Sequence, residues 1–312
     1  MTTISPTTAD IKTHSFSDIV DEWLNLSARR LKPSTSAAYT TLAERHIKPY
    51  FGDLEPYELT EELLSEFRED KAAEGLGASA LRSLLCVLRS VISYGARYGF
   101  ALPADSCRLS ASSRPPVEGL RADEQLKILL ALGDAPEGLP LGVLIGLYAG
   151  LRVGEICGLK WGDVSKDCTA LAVSRSVSRI RRFDEEETHT EIIIGEPKSA
   201  FSKRRVPVPQ RLTQALQASR GRDEWWLLTN SREKTPEPRA LQRFFTRLLD
   251  ECGVRHVGFH ALRHSFATRC VELDFDVKAL SLLLGHADVR TTLNTYVHPS
   301  YERMASLMHR LD

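Results

Sequence analysis

HALRHSFATRCVELDFDVKALSLLLGHADVRTTLNTYVH, residues 260–298, is the stretch on which the reading of this chain turns. It puts His260, Arg263 and His264 on one helical segment, His286 directly after Leu284-Gly285, and Tyr296 ten positions beyond His286. His260 and Arg263, three apart, share a helix face. A guanidinium beside an imidazole suits a phosphate, with fixed donors for two oxygens and a group able to move a proton. His260 and His264, four apart, also have the spacing of a zinc pair. The residues between them are Ala261, Leu262 and Arg263, which offer no glutamate base and one charge that repels a cation. A metal site is therefore not expected, and neither is a cofactor.

Two upstream segments extend this set. In Ala149-Gly150-Leu151-Arg152-Val153-Gly154-Glu155 an apolar helix stops at a glycine, and an arginine emerges where the next helix starts. Helix N-termini favour anions, and an arginine after so apolar a run needs a partner, for which Glu155 is placed. Lys198 follows Glu196-Pro197 on or near a hairpin. Taken singly, each feature has an ordinary explanation: a surface His and Arg, an Arg152–Glu155 salt bridge, a solvated Lys198, a half-buried Tyr296. Their order along the chain is the specific signal.

Composition allows two domains and a sizeable core, at 312 residues with 42% apolar and 26% charged residues. No apolar run reaches the ~18 residues of a membrane span. The first fifteen residues are polar, without a signal core, and read as a loose tail in the cytoplasm. Six cysteines, at 86, 107, 157, 168, 252 and 270, form no Cys-x-x-Cys pair, so neither a zinc pattern nor a disulfide framework is expected. Lys+Arg and Asp+Glu are equal at 41 each, yet 174–211 carries nine Lys/Arg against six acids and 239–270 six Arg against two. Two basic surfaces on a neutral protein are thus expected.

Helical periodicity predicts four helices within 16–100: Phe16–Arg30 with Ser17 as N-cap, a second from Lys32-Pro33-Ser34 to about Phe51-Gly52, a third opening at Thr60, and Ser79–Gly99. The proline- and serine-rich segment 101–117 reads as a linker. From 118 to 312 the pattern is mostly helical with one small antiparallel sheet: strand chemistry at Leu171 and Val173, at Glu191–Ile194 and at Arg205–Val208, with the acidic run Asp184–Glu187 at the exposed end of a long hairpin. Further helices are expected near 211–219, 239–251, 260–273, 277–284, 291–297 and 301–311.

In sequence order, AGLRVGE (149–155), PKSAFSKRRVPV (197–208), HALRHSFAT (260–268) and LLGHADVRTTLNTYVH (283–298) resemble the tyrosine recombinases, or phage integrase family. The resemblance is motif-specific over 117–312 and architectural over 16–100; Ser265 stands where the family often has threonine. It implies a mainly α protein: a four-helix core-binding domain that binds DNA, then a catalytic domain ending in a docking helix. It implies Tyr296 as nucleophile, forming a 3′-phosphotyrosyl link; Arg152 and Arg263 as clamps on the phosphate; Lys198 as general acid; His260 as handler of the tyrosine proton; His286 on a phosphate oxygen or positioning Tyr296; and Glu155 in support. Basic hairpin residues Arg179, Arg181, Arg182, Lys203 and Arg204 are expected to track the DNA backbone. The apolar stripe Tyr301, Met304, Leu307, Met308 and Leu311 is expected to dock on a neighbouring subunit, making a homotetramer on double-stranded DNA with paired recombination sites, in the bacterial cytoplasm at the nucleoid and with accessory directionality proteins as further partners. Integration and excision of a mobile element is the expected task, from the long charged hairpin 174–208; the short N-terminal tail points instead to Xer-type resolution or inversion. A non-catalytic DNA-binding protein on this scaffold, or a zinc hydrolase using His260, His264 and His286, would each leave most of the set unused.

Overall fold

The computed structural model describes residues 14–100, 119–183, 188–196, 203–296 and 308. Contacts within the chain divide it into two compact units, Met1–Arg114 with Ile180–Glu191, and Pro115–Arg179 with Ile192–Asp312. The expected linker and nearly all of the expected terminal helix lie outside the described residues; of the latter, Met308 is helical and exposed.

The first unit is helical: α1 (Phe16–Ala28), α2 (Pro33–Leu42), α3 (Lys48–Phe51), α4 (Glu61–Ala73) and α5 (Ala78–Gly95). Ser15, not Ser17, caps α1. The Ser15 hydroxyl accepts from the Asp18 N–H at 3.2 Å and the Asp18 carboxylate accepts from the Ser15 N–H at 3.1 Å, a reciprocal box that Ser17, already inside the helix, cannot make. The second expected helix does run to Phe51, but with a π turn over Ala43–Ile47 between α2 and α3. Pro49 has no N–H for the carbonyl four residues back, and the wider turn accommodates that gap. Phe16, Phe51, Phe67 and Phe100 are fully buried and pack ring on ring, Phe51 to Phe67 at 4.7 Å and Phe16 to Phe100 at 5.2 Å.

The second unit is built on α7 (Leu139–Ala149), whose sequence is apolar all round and whose residues from Leu141 to Leu147 are all buried. Such a helix is stable only when enclosed, and α6 (Ala122–Leu132), α8 (Val153–Cys157), α9 (Gln210–Ala218), α10 (Pro238–Glu251) and α11 (His260–Glu272) pack round it. The helices α12 (Val277–Leu284) and α13 (Val289–Tyr296) complete the described part. Strand pairing differs from the single sheet expected. β1 (Ala170–Val173) pairs antiparallel with β4 (Arg204–Pro207), Leu171 opposite Val206, while β2 (Ser176–Phe183) and β3 (Thr188–Gly195) form a two-stranded sheet of their own. Leu171, Val173 and Val206 join the main core, which is what holds β1 to β4 across an intervening hairpin.

Candidate active site

Arg152 is the N-cap residue of α8. Its N–H donates to Glu155 Oε2 at 3.0 Å and its Nη1 to Glu155 Oε1 at 2.8 Å. Glu155 is only 2% exposed and takes a second arginine: Arg204 Nη1 and Nη2 reach Oε1 and Oε2 at 3.2 and 3.1 Å. Burial by itself would raise the Glu155 pKa; the Arg204 fork and Arg152 outweigh it and hold the carboxylate below its usual range. Arg204, expected to track the DNA backbone, lies in this cluster. Its side chain is 7% exposed, and its Nε donates to the Leu283 carbonyl at 2.6 Å.

Arg263, on α11, is 1% exposed. Its Nη1 donates to the Gly150 carbonyl at 2.9 Å, and its Nη2 reaches the Leu284 carbonyl at 2.7 Å and His286 Nε2 at 2.9 Å. These three hydrogen-bond partners are neutral. Arg263 also lies near Tyr296, whose hydroxyl feels its positive charge. Burial, and then the like charge of Arg152, pull the Arg263 pKa down to about 9. This is a buried cation held by dipoles, which favours the arrival of an anion. Its partners depend on two glycines. Gly150 ends α7 at φ +61°, where a Cβ would lie 2.4 Å from the Phe266 ring, and Gly285 ends α12 at φ +65°, where a Cβ would lie 2.9 Å from Arg204 Nη1.

A guanidinium only donates, so the Arg263 bond makes His286 Nε2 an acceptor and puts the ring proton on Nδ1. That N–H meets the fully buried Thr292 hydroxyl at 2.8 Å. The His286 pKa falls to about 4 through burial, then through Arg263, Arg152 and Arg204. His260 keeps one edge open to solvent, yet loss of water round the ring, then His264, Arg263 and Arg152, bring it also to about 4. The ring of His264 lies 5.1 Å from that of His260 and 5.2 Å from that of Tyr296, centroid to centroid. The Tyr296 pKa is raised by burial, against the opposing pull of Arg263 and Arg152.

The fold therefore gathers Arg152, Glu155, Arg263, His286 and Tyr296 with His260 beside them. It adds Arg204, His264 and Thr292, none of which sequence reading placed in the centre. Lys198 lies outside the described residues, as does the side chain of Arg182. Of the other hairpin residues, Arg179 bonds Glu237 at 2.6 Å, Lys203 is exposed and pairs with Glu196 at 2.6 Å, and Arg181 is half-buried. Among the described residues no group of three His, Cys, Asp or Glu is arranged to hold a metal ion. Ser265 donates to the Ala261 carbonyl at 2.9 Å and accepts from the Leu120 N–H at 2.7 Å, so its hydroxyl ties the start of this unit to α11.

Arg152, the buried Arg263 and the nearby Tyr296 meet the description of a family. The phage integrase family model matches residues 119–303, and a model described as "Phage integrase, N-terminal SAM-like domain" matches 15–71. The chain belongs to the phage integrase family of tyrosine recombinases. It is 26% identical to a tyrosine recombinase XerC-like protein of Caldanaerobacter subterraneus subsp. tengcongensis over 322 residues, covering 93% of this chain and 80% of that one. The fold resembles that of the Tn1549 transposon integrase solved with transposon right end DNA, with a TM-score of 0.73 at 20% identity, covering 95% of this chain and 99% of that one. It also resembles a lambda integrase tetramer bound to a Holliday junction, with a TM-score of 0.67 at 21% identity, covering 95% and 83%.

Proposed function

We propose that this chain, a site-specific DNA recombinase, cuts and rejoins strands through Tyr296. The observation that carries this is Arg263: a buried cation hydrogen-bonded to neutral groups only, with Tyr296 and Arg152 close enough for their charges to be felt. A phosphodiester supplies the missing anion. Arg152 and Arg263 hold its non-bridging oxygens and stabilise the charge of the five-coordinate phosphorus. The Tyr296 oxygen forms a bond to phosphorus, the bond from phosphorus to the 5′-oxygen breaks, and the chain keeps a 3′-phosphotyrosyl link. The tyrosine proton passes to His260, neutral at physiological pH with its pKa at about 4. The leaving 5′-oxygen takes a proton from Lys198. A 5′-hydroxyl of the second duplex then reverses these steps. Phosphodiester bonds are conserved in number, so the reaction needs no nucleotide hydrolysis.

The partner is double-stranded DNA with paired sites, and the working unit is a homotetramer joined through 301–311; the existence of a lambda integrase tetramer on a Holliday junction supports the tetramer. Accessory directionality proteins act with it. No described helix is long and apolar enough to cross a membrane, and the proposed place of action is the bacterial cytoplasm, at the nucleoid. The hairpin of β2 and β3 and the charged sequence around it favour integration and excision of a mobile element; the likeness to XerC proteins favours resolution as the second reading. An inverted repeat beside an excision gene in the flanking DNA would support the first, and a lone chromosomal locus the second.

The test uses a pool of randomised duplexes, each nicked just downstream of the scissile position so that the short fragment bearing the freed 5′-hydroxyl is lost. Wild type should accumulate a covalent adduct whose DNA defines the target site, and Tyr296→Phe should give none. An adduct with Tyr296→Phe would move the nucleophile elsewhere; no adduct with wild type would leave a DNA-binding protein without catalysis.

A further inference from the structure

We propose that Arg204 is a positioning residue for strand cleavage, setting Arg152 through Glu155 and His286 through the Leu283 carbonyl. The proposal rests on the recombinase reading above. Charge balance alone does not account for Arg204. Arg152 already neutralises Glu155 with two bonds, and Arg204 adds a second guanidinium to the same buried carboxylate. What Arg204 supplies is geometry. Its fork occupies both carboxylate oxygens, so Glu155 cannot rotate away from Arg152. Its Nε holds Leu283, the residue just before the one whose carbonyl takes Arg263.

The two arginines thus grip successive carbonyls at the open C-terminal end of α12, where unpaired carbonyls concentrate negative potential. The left-handed turn at Gly285 sits directly on Arg204, since a Cβ there would come within 2.9 Å of Nη1, and the next residue is His286. One side chain on β4 therefore fixes both ends of the phosphate clamp: the α8 N-terminus that carries Arg152 and the α12 turn that carries His286. A lysine keeps the charge but has one nitrogen where three are used here.

Full-length protein is tested in single turnover on the nicked duplex recovered above, at increasing DNA concentration. In Arg204→Lys the cleavage rate at saturating DNA should fall about ten- to hundred-fold, the usual effect of losing a group that orients a catalytic one. The half-saturating DNA concentration should stay within about two-fold of wild type, because a positioning residue changes the bound step rather than binding. Glu155→Gln should slow cleavage similarly, and the double variant should be no slower than the slower single one, as expected of residues acting as a unit. Arg204→Gln, which removes the charge but keeps an amide donor, guards against misfolding of the lysine variant, and Arg205→Lys, on an exposed side chain, should cleave at the wild-type rate. Wild-type rates in both folded Arg204 variants, a defect confined to half-saturation, or multiplied defects in the double variant would overturn the proposal. A wild-type protein that forms no adduct would instead overturn the recombinase reading beneath it.

Discussion

His286 has both ring nitrogens committed, Nε2 to Arg263 and Nδ1 to Thr292. Its pKa of about 4, against an ordinary 6.5, has a consequence for the free protein. The unfolded chain binds the proton more readily than the folded one. Stability from this group is fully present above about pH 6.5 and is lost as the pH falls towards 4. His260 acts in the same direction. The urea midpoint should therefore be level above about pH 6.5 and fall below it, with a shallower fall in His286→Gln; an unchanged slope in that variant would mean that His286 is not held neutral. Thr292 gives a second expectation. Thr292→Val leaves the His286 N–H facing a methyl group, and a buried unpaired donor costs about 1–3 kcal/mol. Once phosphate competes for Arg263, the same hydroxyl can donate to Nδ1, leaving Nε2 with a proton to give. Cleavage should drop in Thr292→Val and return in Thr292→Ser; a loss of stability with full cleavage would reduce Thr292 to packing.

At the scale of elements the joint between α7 and α8 is the vulnerable one. Gly150→Ala combines a left-handed backbone, about 1–2 kcal/mol for an L-residue, with a Cβ that would overlap the Phe266 ring, and overpacking of this kind costs about 1–3 kcal/mol more. A loss of roughly 2–5 kcal/mol in urea unfolding is expected from those two terms, with slower cleavage because the Gly150 carbonyl is an Arg263 acceptor. A variant of wild-type stability would show that the turn can open. The same joint shows what a linear reading reveals. The helix stop at Gly150, the arginine after it and its Glu155 partner three residues on are local, and so are His260 and Arg263 on one face. The second partner of Glu155 lies 49 residues away, on a strand whose own mate, β1, is displaced by a hairpin. Nothing in Ser202-Lys203-Arg204-Arg205 distinguishes the arginine that is buried from the one that is exposed. No strand is expected over β2 from the sequence, because among its residues with described side chains only Val177 and Ile180 are buried and apolar, set among serines and arginines. Thr292 was invisible for a similar reason, being one of three threonines around an asparagine.

For the whole molecule, zero net charge means that attraction to DNA must come from local arrangement. On α10 the buried face is Leu241, Phe245, Leu248 and Leu249, while Arg239, Arg243 and Arg247 are exposed at intervals of four, a single row on the opposite side. No acid of α10 interrupts that row; Asp250 and Glu251 follow at its end. If the row meets phosphates, replacing all three arginines with glutamine should weaken binding to unrelated duplexes and to the target alike, because phosphate contacts carry no sequence information. Each lost contact should also flatten the dependence of log affinity on log salt by about 0.9, so the triple variant should lose up to about 3 from the slope. The substitutions keep a helical, exposed surface, and the thermal midpoint should barely move. An unchanged salt slope in a folded triple variant would take α10 off the DNA and leave the hairpin arginines and the first unit to supply the contacts.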